Sequence, residues 1–368
     1  MKQYNTSQIR NVVLMGHGGA GKTTLAEAVL RSAGVIKRRG TIDSGNTVSD
    51  FDPEEIRRKF SIKTSLIPVE WKDHKINFLD APGYDDFRGE VDQALRVADT
   101  AVIVINAASG LEIGAQKAWK FAEDAGVPRM IYITGMDLDN ANMPRILKEL
   151  KQRYGNSIAP MQVPWYEEEK FVGYIDVARM VGRRYVGTQT EDCELPEGMD
   201  EQIIPARTMI LEAVAETDEV LMEKYFDGEE ITTDEITEGI RSGVIDGSIV
   251  PVFCGTGTMS AGITILLNSL IRYAPSPDIL HVEEFGYDEA GENTLSRKCE
   301  ASEKASLFVF KTMVDPFIGR FTFFKVRSGT IKSDDVLYNS RTKEAEKLSK
   351  LYVFRGKEQI EVEQLVAG

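Results

Sequence analysis

Residues 12 to 24 read VVLMGHGGAGKTT: an apolar, β-branched run breaks into four glycines within six positions, and a lysine and two threonines follow. The stretch fits Gly-x4-Gly-Lys-Ser/Thr, with Gly16, Gly21, Lys22 and Thr23 at the fixed places. That pattern asks for a strand, a tight turn and a helix, in that order. Glycines let successive backbone N–H groups turn inward around an anion, and the helix that follows points its positive end at the same place. His17, Gly18, Gly19 and Ala20 supply the intervening amides, His17 through its backbone and not its ring, and Thr24 continues into the helix. Lys22 is then set to reach the outer phosphates of a nucleotide, and the Thr23 hydroxyl to bind Mg2+.

The rest of the first 275 residues agrees with such a loop. Short β-branched runs at 12 to 15, 66 to 71, 75 to 80, 101 to 106, 129 to 134 and 249 to 253 alternate with helical periodicity, the pattern of a mostly parallel sheet with helices on both faces. Only Lys72, Asp73 and His74 separate the second run from the third, too few for a helical crossover, so these two should form an antiparallel hairpin. In TTLAEAVLRSAG, Leu25, Val29 and Ala33 share a helix face and Gly34 offers a stop. The alternation fails between 158 and 248, which reads as an α/β insert whose segment RTMILEAVAETDEVLMEKYF has the apolar spacing of one helix. After PSPD the text changes to alternating and aromatic-rich strands, with a turn at Ser328-Gly329. The expected division is a phosphate-loop domain at 1 to 157 and 249 to 277, the insert at 158 to 248, a linker at 278 to 302, and an all-β, barrel-like domain at 303 to 368. EQLVAG shows no evident closing strand, so that last domain is expected to be incomplete at its C-terminus.

A phosphate loop does not name its nucleotide. NFLDAPGYDDF ends a strand in Asp80, where a carboxylate can hold a water of the Mg2+ opposite Thr23 and so belongs to the metal site, and Gly83 follows in a Pro-Gly turn whose N–H can meet a γ-phosphate. YITGMDLD ends a later strand with Thr134, Gly135, Met136 and Asp137. A carboxylate at Asp137 would accept from guanine N1–H and N2–H2, whereas adenine would leave it unpaired, and a polar site rejects such an analogue strongly. Gly255, Thr256 and Gly257 follow the last strand and can present N–H groups to guanine O6.

Charge adds one restriction. The net charge is -14, but 187 to 240 holds seventeen acidic residues against Arg207 and Lys224, so the remainder is nearly neutral. Overall acidity therefore does not exclude a nucleic-acid-rich partner. Cys193, Cys254 and Cys299 are too scattered for a disulfide framework, and with three histidines a zinc site is not expected. No apolar run is long enough to span a bilayer and the first ten residues lack a signal-peptide block, which points to the cytoplasm.

With these motifs in order, the chain resembles the translational GTPases, most closely elongation factor G and its divergent paralogues. GHGGAGKTT, DAPGYDDF, TGMD, CGTG, LMEKYFDGEE, YAPSP and VDPFIGRFTFFKVRSGT carry the resemblance, which covers essentially the whole chain. It implies GTP and GDP as ligands, Mg2+ as cofactor, the ribosome as partner through the large-subunit factor-binding site, and contact of the insert with the ribosomal stalk protein. Matching RRKFSIKTS to the family's first switch places Ser61 at the Mg2+-binding threonine. Four departures stand out. Gly19 replaces an aspartate of elongation factor G; Gly135 replaces the lysine of Asn-Lys-x-Asp, removing an aliphatic cover from the base; Ser61 replaces the threonine; and Tyr84 replaces the histidine that orders the attacking water. A tyrosine hydroxyl is a poor base near neutrality, so Lys22, Gly83 and Tyr84 are the catalytic candidates, with Tyr84 either positioning water or packing as a lid. The expectation is a GTP-hydrolysing switch with slowed turnover. The alternatives are a GTP-dependent binding protein with negligible hydrolysis and an ATP-using phosphotransferase, which Asp137 disfavours.

Overall fold

The computed structural model describes residues 2–187, 189–282, 284–287, 294–315 and 319–368. Pro316, Phe317 and Ile318 of the quoted VDPFIGRF stretch, and 288–293 of the expected linker, lie outside the described residues.

A seven-stranded sheet of order β2-β3-β1-β4-β5-β11-β6 organises the first part. Its strands are β1 Ile9–Gly16, β2 Ser65–Trp71, β3 His74–Asp80, β4 Thr100–Asn106, β5 Arg129–Thr134, β6 Ile158–Pro160 and β11 Val250–Cys254. All neighbours are parallel except β2, which runs antiparallel to β3. Lys72 and Asp73 both take positive φ in that hairpin, the backbone a two-residue turn needs. Every residue of β1 is buried, as expected for a parallel strand covered on both faces. Its alternate residues feed two cores: Val12 and Leu14 pack with α1 Lys22–Ser32 and α9 Ile263–Tyr273, and Val13 and Met15 with α3 Arg88–Leu95, α4 Ile113–Asp124 and α5 Met143–Tyr154. A short helix, α2 Pro53–Arg58, lies between α1 and β2.

The insert is an antiparallel sheet of order β10-β9-β8-β7, built from β7 Gln162–Glu167, β8 Lys170–Asp176, β9 Val181–Val186 and β10 Gln189–Cys193. Helices α6 Asp200–Ala215, α7 Glu219–Asp227 and α8 Thr233–Asp246 follow. Strand β6 falls within the expected insert but pairs with β11 in the main sheet; at three residues it carries no periodicity to read. The segment read as one helix is two, because Asp218 caps α7 by accepting from Val220 N–H and Leu221 N–H.

Beyond the short helix α10 Pro277–Leu280, the expected linker contains an antiparallel pair, β12 Glu284–Tyr287 and β13 Thr294–Arg297. The remaining strands also pair antiparallel: β14 Ser306–Asp315 with β15 Gly319–Ser328, β16 Thr330–Lys332 with β21 Gln364–Val366, β17 Val336–Asn339 with β18 Glu344–Lys347, and β19 Leu351–Arg355 with β20 Glu358–Val362. EQLVAG thus does supply a strand, against expectation: β21 joins β16, and Gly368 N–H reaches Val326 O. Among the described residues no helix is long and apolar enough to cross a membrane.

Candidate functional site

Parallel pairing brings the motifs to one edge of the sheet. Register sets Asp80 beside Leu14, Gly16 beside Val104, Ile105 beside Ile133 and Ile133 beside Cys254, so the loops after five neighbouring strands leave one edge together. Open α/β sheets bind ligands at this carboxyl edge. Gly16 must be glycine: its φ is +142°, and an added Cβ would stand 2.3 Å from Val104 O.

Around the phosphate loop, Lys22 Nζ donates to Gly16 O at 3.1 Å and His17 O at 2.9 Å, and it lies against Gly83. Burial pushes the Lys22 ammonium down to about 8, against the opposing pull of Asp80, Asp50 and Glu112. Thr134, expected among the base-recognition residues, turns to the loop instead and donates to Ala20 O at 2.7 Å. Gly257 approaches Thr24 closely, tying the last loop to the start of α1. The His17 ring faces Glu112 at 3.4 Å and not the loop interior. Gly18 lies under the Tyr84 ring, where an added Cβ would come within 2.7 Å of it, while a Cβ on Gly19 would meet no atom of the described residues within 4 Å.

The three expected Mg2+ ligands converge. Thr23 Oγ1 donates to Asp80 Oδ2 at 2.9 Å and lies 3.2 Å from Ser61 Oγ, and all three residues are buried. Burial raises the Asp80 carboxyl above the usual range, while Lys22 pulls it back. This set of hard oxygen donors fits Mg2+, which takes one or two protein carboxylates and completes its shell with phosphate and water. Among the described residues no three His, Cys, Asp or Glu side chains form a metal-holding group. Sequence reasoning missed Asp50. It is buried near Asp80 and Lys22, and burial followed by repulsion from Asp80 lifts its carboxyl to about 6. It also missed Glu27 of α1, a buried carboxylate that accepts Gly40 N–H at 2.7 Å and Val48 N–H at 2.6 Å and so closes the loop between them.

At the other end, Asp137 Oδ2 accepts from the Thr258 hydroxyl, a partner the sequence did not suggest, and Asp137 Oδ1 is buried without a hydrogen-bond partner among the described residues. Met136, expected at the nucleotide, turns its side chain into the core; only its backbone joins the site, through Met136 N–H to Gly255 O at 3.3 Å. Thr256 is fully buried and uses its hydroxyl to hold Thr258 N–H and Met259 N–H, which shapes the loop. Arg39 donates to Gly257 O.

Tyr84 is 44% exposed, and its ring packs on Phe60 with centroids 4.8 Å apart. The residue beside Ser61 therefore covers the residue after Gly83.

A strand, glycine loop and helix opening on a buried lysine, with a hydroxyl and a carboxylate beside them, define a nucleotide-binding domain of the phosphate-loop class. Residues 7–276 match the family model of the elongation factor Tu GTP binding domain, and residues 304–368 match that of elongation factor G domain 2. The chain belongs to the translational GTPases and most resembles elongation factor G. A crystal structure of a protein from Thermus thermophilus is similar over 98% of this chain, with 34% identity and a TM-score of 0.86. This chain spans 51% of that one.

Proposed function

We propose that the chain is a Mg2+-dependent GTP-hydrolysing switch that acts at the ribosome from the cytoplasm. The observation that carries this reading is the meeting of Thr23, Ser61 and Asp80 beside Lys22, with residues from α1, the first switch and the end of β3 in one cluster. Phosphoryl transfer asks a protein mainly for positioning and charge stabilisation. The inward amides of residues 16 to 23 would cradle the phosphates, Lys22 would neutralise the outer ones, and Gly83 N–H would meet the γ-phosphate. Mg2+, held by Thr23, Ser61 and Asp80, would supply further charge neutralisation there. Asp137, oriented by Thr258 and with Oδ1 free to accept, would select guanine. Water would attack the γ-phosphate in line, and cleavage would free the segments around 40 to 65 and 83 to 90, changing the surface offered to a partner. The acidic insert would meet the ribosomal stalk. The domain division we propose is the one read from sequence, with β6, which pairs with β11, assigned to the GTP-binding domain.

Single-turnover cleavage of GTP, with and without ribosomes, tests the reading. Mg2+-dependent release of phosphate that ribosomes accelerate is expected; tight binding of ATP with none of GTP would refute it. The Phe60 contact favours a second reading, in which Tyr84 is a lid and hydrolysis is negligible. A stable GTP complex that ribosomes do not discharge in wild type but do discharge in Tyr84→His would select it.

A further inference from the structure

Strand β14 carries an irregularity at Phe310: Val309 pairs with Phe324 but Lys311 already pairs with Phe323. An extra residue of this kind re-aims the side chains that follow. Phe308 and Phe310 pack against the core beneath α3 and α4, and Lys311 enters the first domain with only 7% of its side chain exposed. There its ammonium lies 2.6 Å from Glu90 Oε2 and donates to Thr64 O at 3.1 Å. The same Glu90 oxygen accepts Thr64 N–H at 2.7 Å, and Thr64 Oγ1 donates to Glu90 O at 3.1 Å. Both backbone polar groups of Thr64 are thus engaged, three residues after Ser61, by one residue of α3 and one of the β-domain.

We propose that Lys311 is a positioning residue for GTP cleavage: from the β-domain it ties the end of the first switch to the helix of the second, holding Ser61 and Gly83 in register on Mg2+ and phosphate. The assignment rests on the GTP-hydrolysis reading. It follows from connectivity. Ser61 is joined through three peptide units to Thr64, which Glu90 and Lys311 fix, and Gly83 leads through one short turn into α3, which carries Glu90. Charge-assisted bonds in a partly water-excluded site are strong and directional, so losing them loosens both segments together. Neither Lys311 nor Glu90 would touch the nucleotide.

Lys311→Met keeps the aliphatic stem and removes the charge, and Glu90→Gln removes the partner in the other domain. Each is measured for affinity toward a fluorescent GTP analogue, single-turnover cleavage at saturating nucleotide, and unfolding midpoint. Each variant should bind GTP within about twofold of wild type yet cleave it about tenfold more slowly, as expected for an interaction that positions rather than binds. The double variant should be no slower than either single one, because the two groups act through one shared contact. Wild-type cleavage in Lys311→Met, or losses that multiply in the double variant, would overturn the assignment. A variant that merely unfolds earlier while cleaving normally would also overturn it, by reducing Lys311 to a structural role. Absence of turnover in the unmodified chain would instead refute the hydrolysis reading itself.

Discussion

Lys325→Met is the most informative perturbation of the contact between the two parts of the chain. Lys325 comes from β15, but its ammonium lies 2.6 Å from Asp99 Oδ1 and donates to Val97 O at 3.1 Å, just past α3. Asp99 is fully buried and the Lys325 side chain is 5% exposed. Removing one partner of a buried ion pair costs about 3–5 kcal/mol, mostly through the orphaned charge. Asn11 Nδ2 at 2.7 Å and His281 Nε2 at 2.9 Å remain on Asp99, which favours the lower end of that range. The expected loss is therefore about 3 kcal/mol. Trp71, Trp119 and Trp165 all lie before the β-domain, so tryptophan fluorescence follows only the first part during urea unfolding, while far-UV circular dichroism follows both. In the variant the dichroism transition should begin before the fluorescence transition. Asp99→Asn in the same chain should recover part of the loss. Coincident transitions and a shift under about 1 kcal/mol would show that the ion pair does not hold the two parts together. Acid provides a second check. Burial pushes the Asp99 carboxyl up, but Lys325 and His281 outweigh it and leave the group below its ordinary value. A depressed carboxyl stabilises the fold above its unfolded pKa of about 3.9, and that stability disappears as pH falls below it. Asp99→Asn should flatten this acid limb.

Three further outcomes follow from the site. Thr23→Ala removes the hydroxyl shared by Asp80 and Ser61 and should raise the Mg2+ needed for half-maximal GTP binding by at least about tenfold, read by metal titration. Asp137→Asn converts one acceptor into a donor and should weaken GTP about a hundredfold by calorimetry, the loss expected for two charge-assisted hydrogen bonds; unchanged affinity would remove Asp137 from base recognition. Glu27→Ala strips Gly40 N–H and Val48 N–H of their shared acceptor, at about 1–3 kcal/mol for each donor left buried, and should speed tryptic cleavage at Lys37, Arg38 and Arg39 without a large change in far-UV dichroism.

The sheet is readable because parallel strands are continuous apolar runs, and the phosphate loop because its glycines include Gly16, whose backbone and close approach to Val104 O no other residue fits. Features set by one or two tertiary bonds were not. Strand β6 is three residues long and takes its place only by pairing with β11. The apolar spacing from Met209 to Tyr225 runs on across Thr217 and Asp218, so the break between α6 and α7 shows only in the Asp218 cap. Strand β21 has no alternation long enough to read, and β12 and β13 pair within a stretch whose composition suggested a linker. Within the site, residues on motifs could be named but not aimed: Thr134 turned to the phosphate loop and Met136 into the core. Asp50, Glu27 and Thr258 carry no local signature. Each matters through a neighbour distant in sequence, which no spacing rule contains.

The contacts on α3 give those separate readings a common physical basis. Near its start, Glu90 is bound to Lys311; just past its end, Arg96 O accepts from Arg327 at 3.0 Å and Val97 O from Lys325. Cations at the last carbonyls of a helix satisfy groups that lack internal partners and oppose the negative end of the dipole. Strands β14 and β15 thus grip the helix at both ends, with cations that α3 itself does not supply. A helix held at one end can pivot while its partner stays still. One held at both must carry its partner along, or break buried charged contacts at one end. Because α3 begins five residues after Gly83, any shift of that turn toward or away from a γ-phosphate has its least costly outlet in movement of the whole β-domain. Lys311→Met should therefore uncouple β14 from nucleotide exchange while Lys325 still holds the far end, a result that amide hydrogen exchange over 306 to 315, compared between GTP and GDP, would read directly.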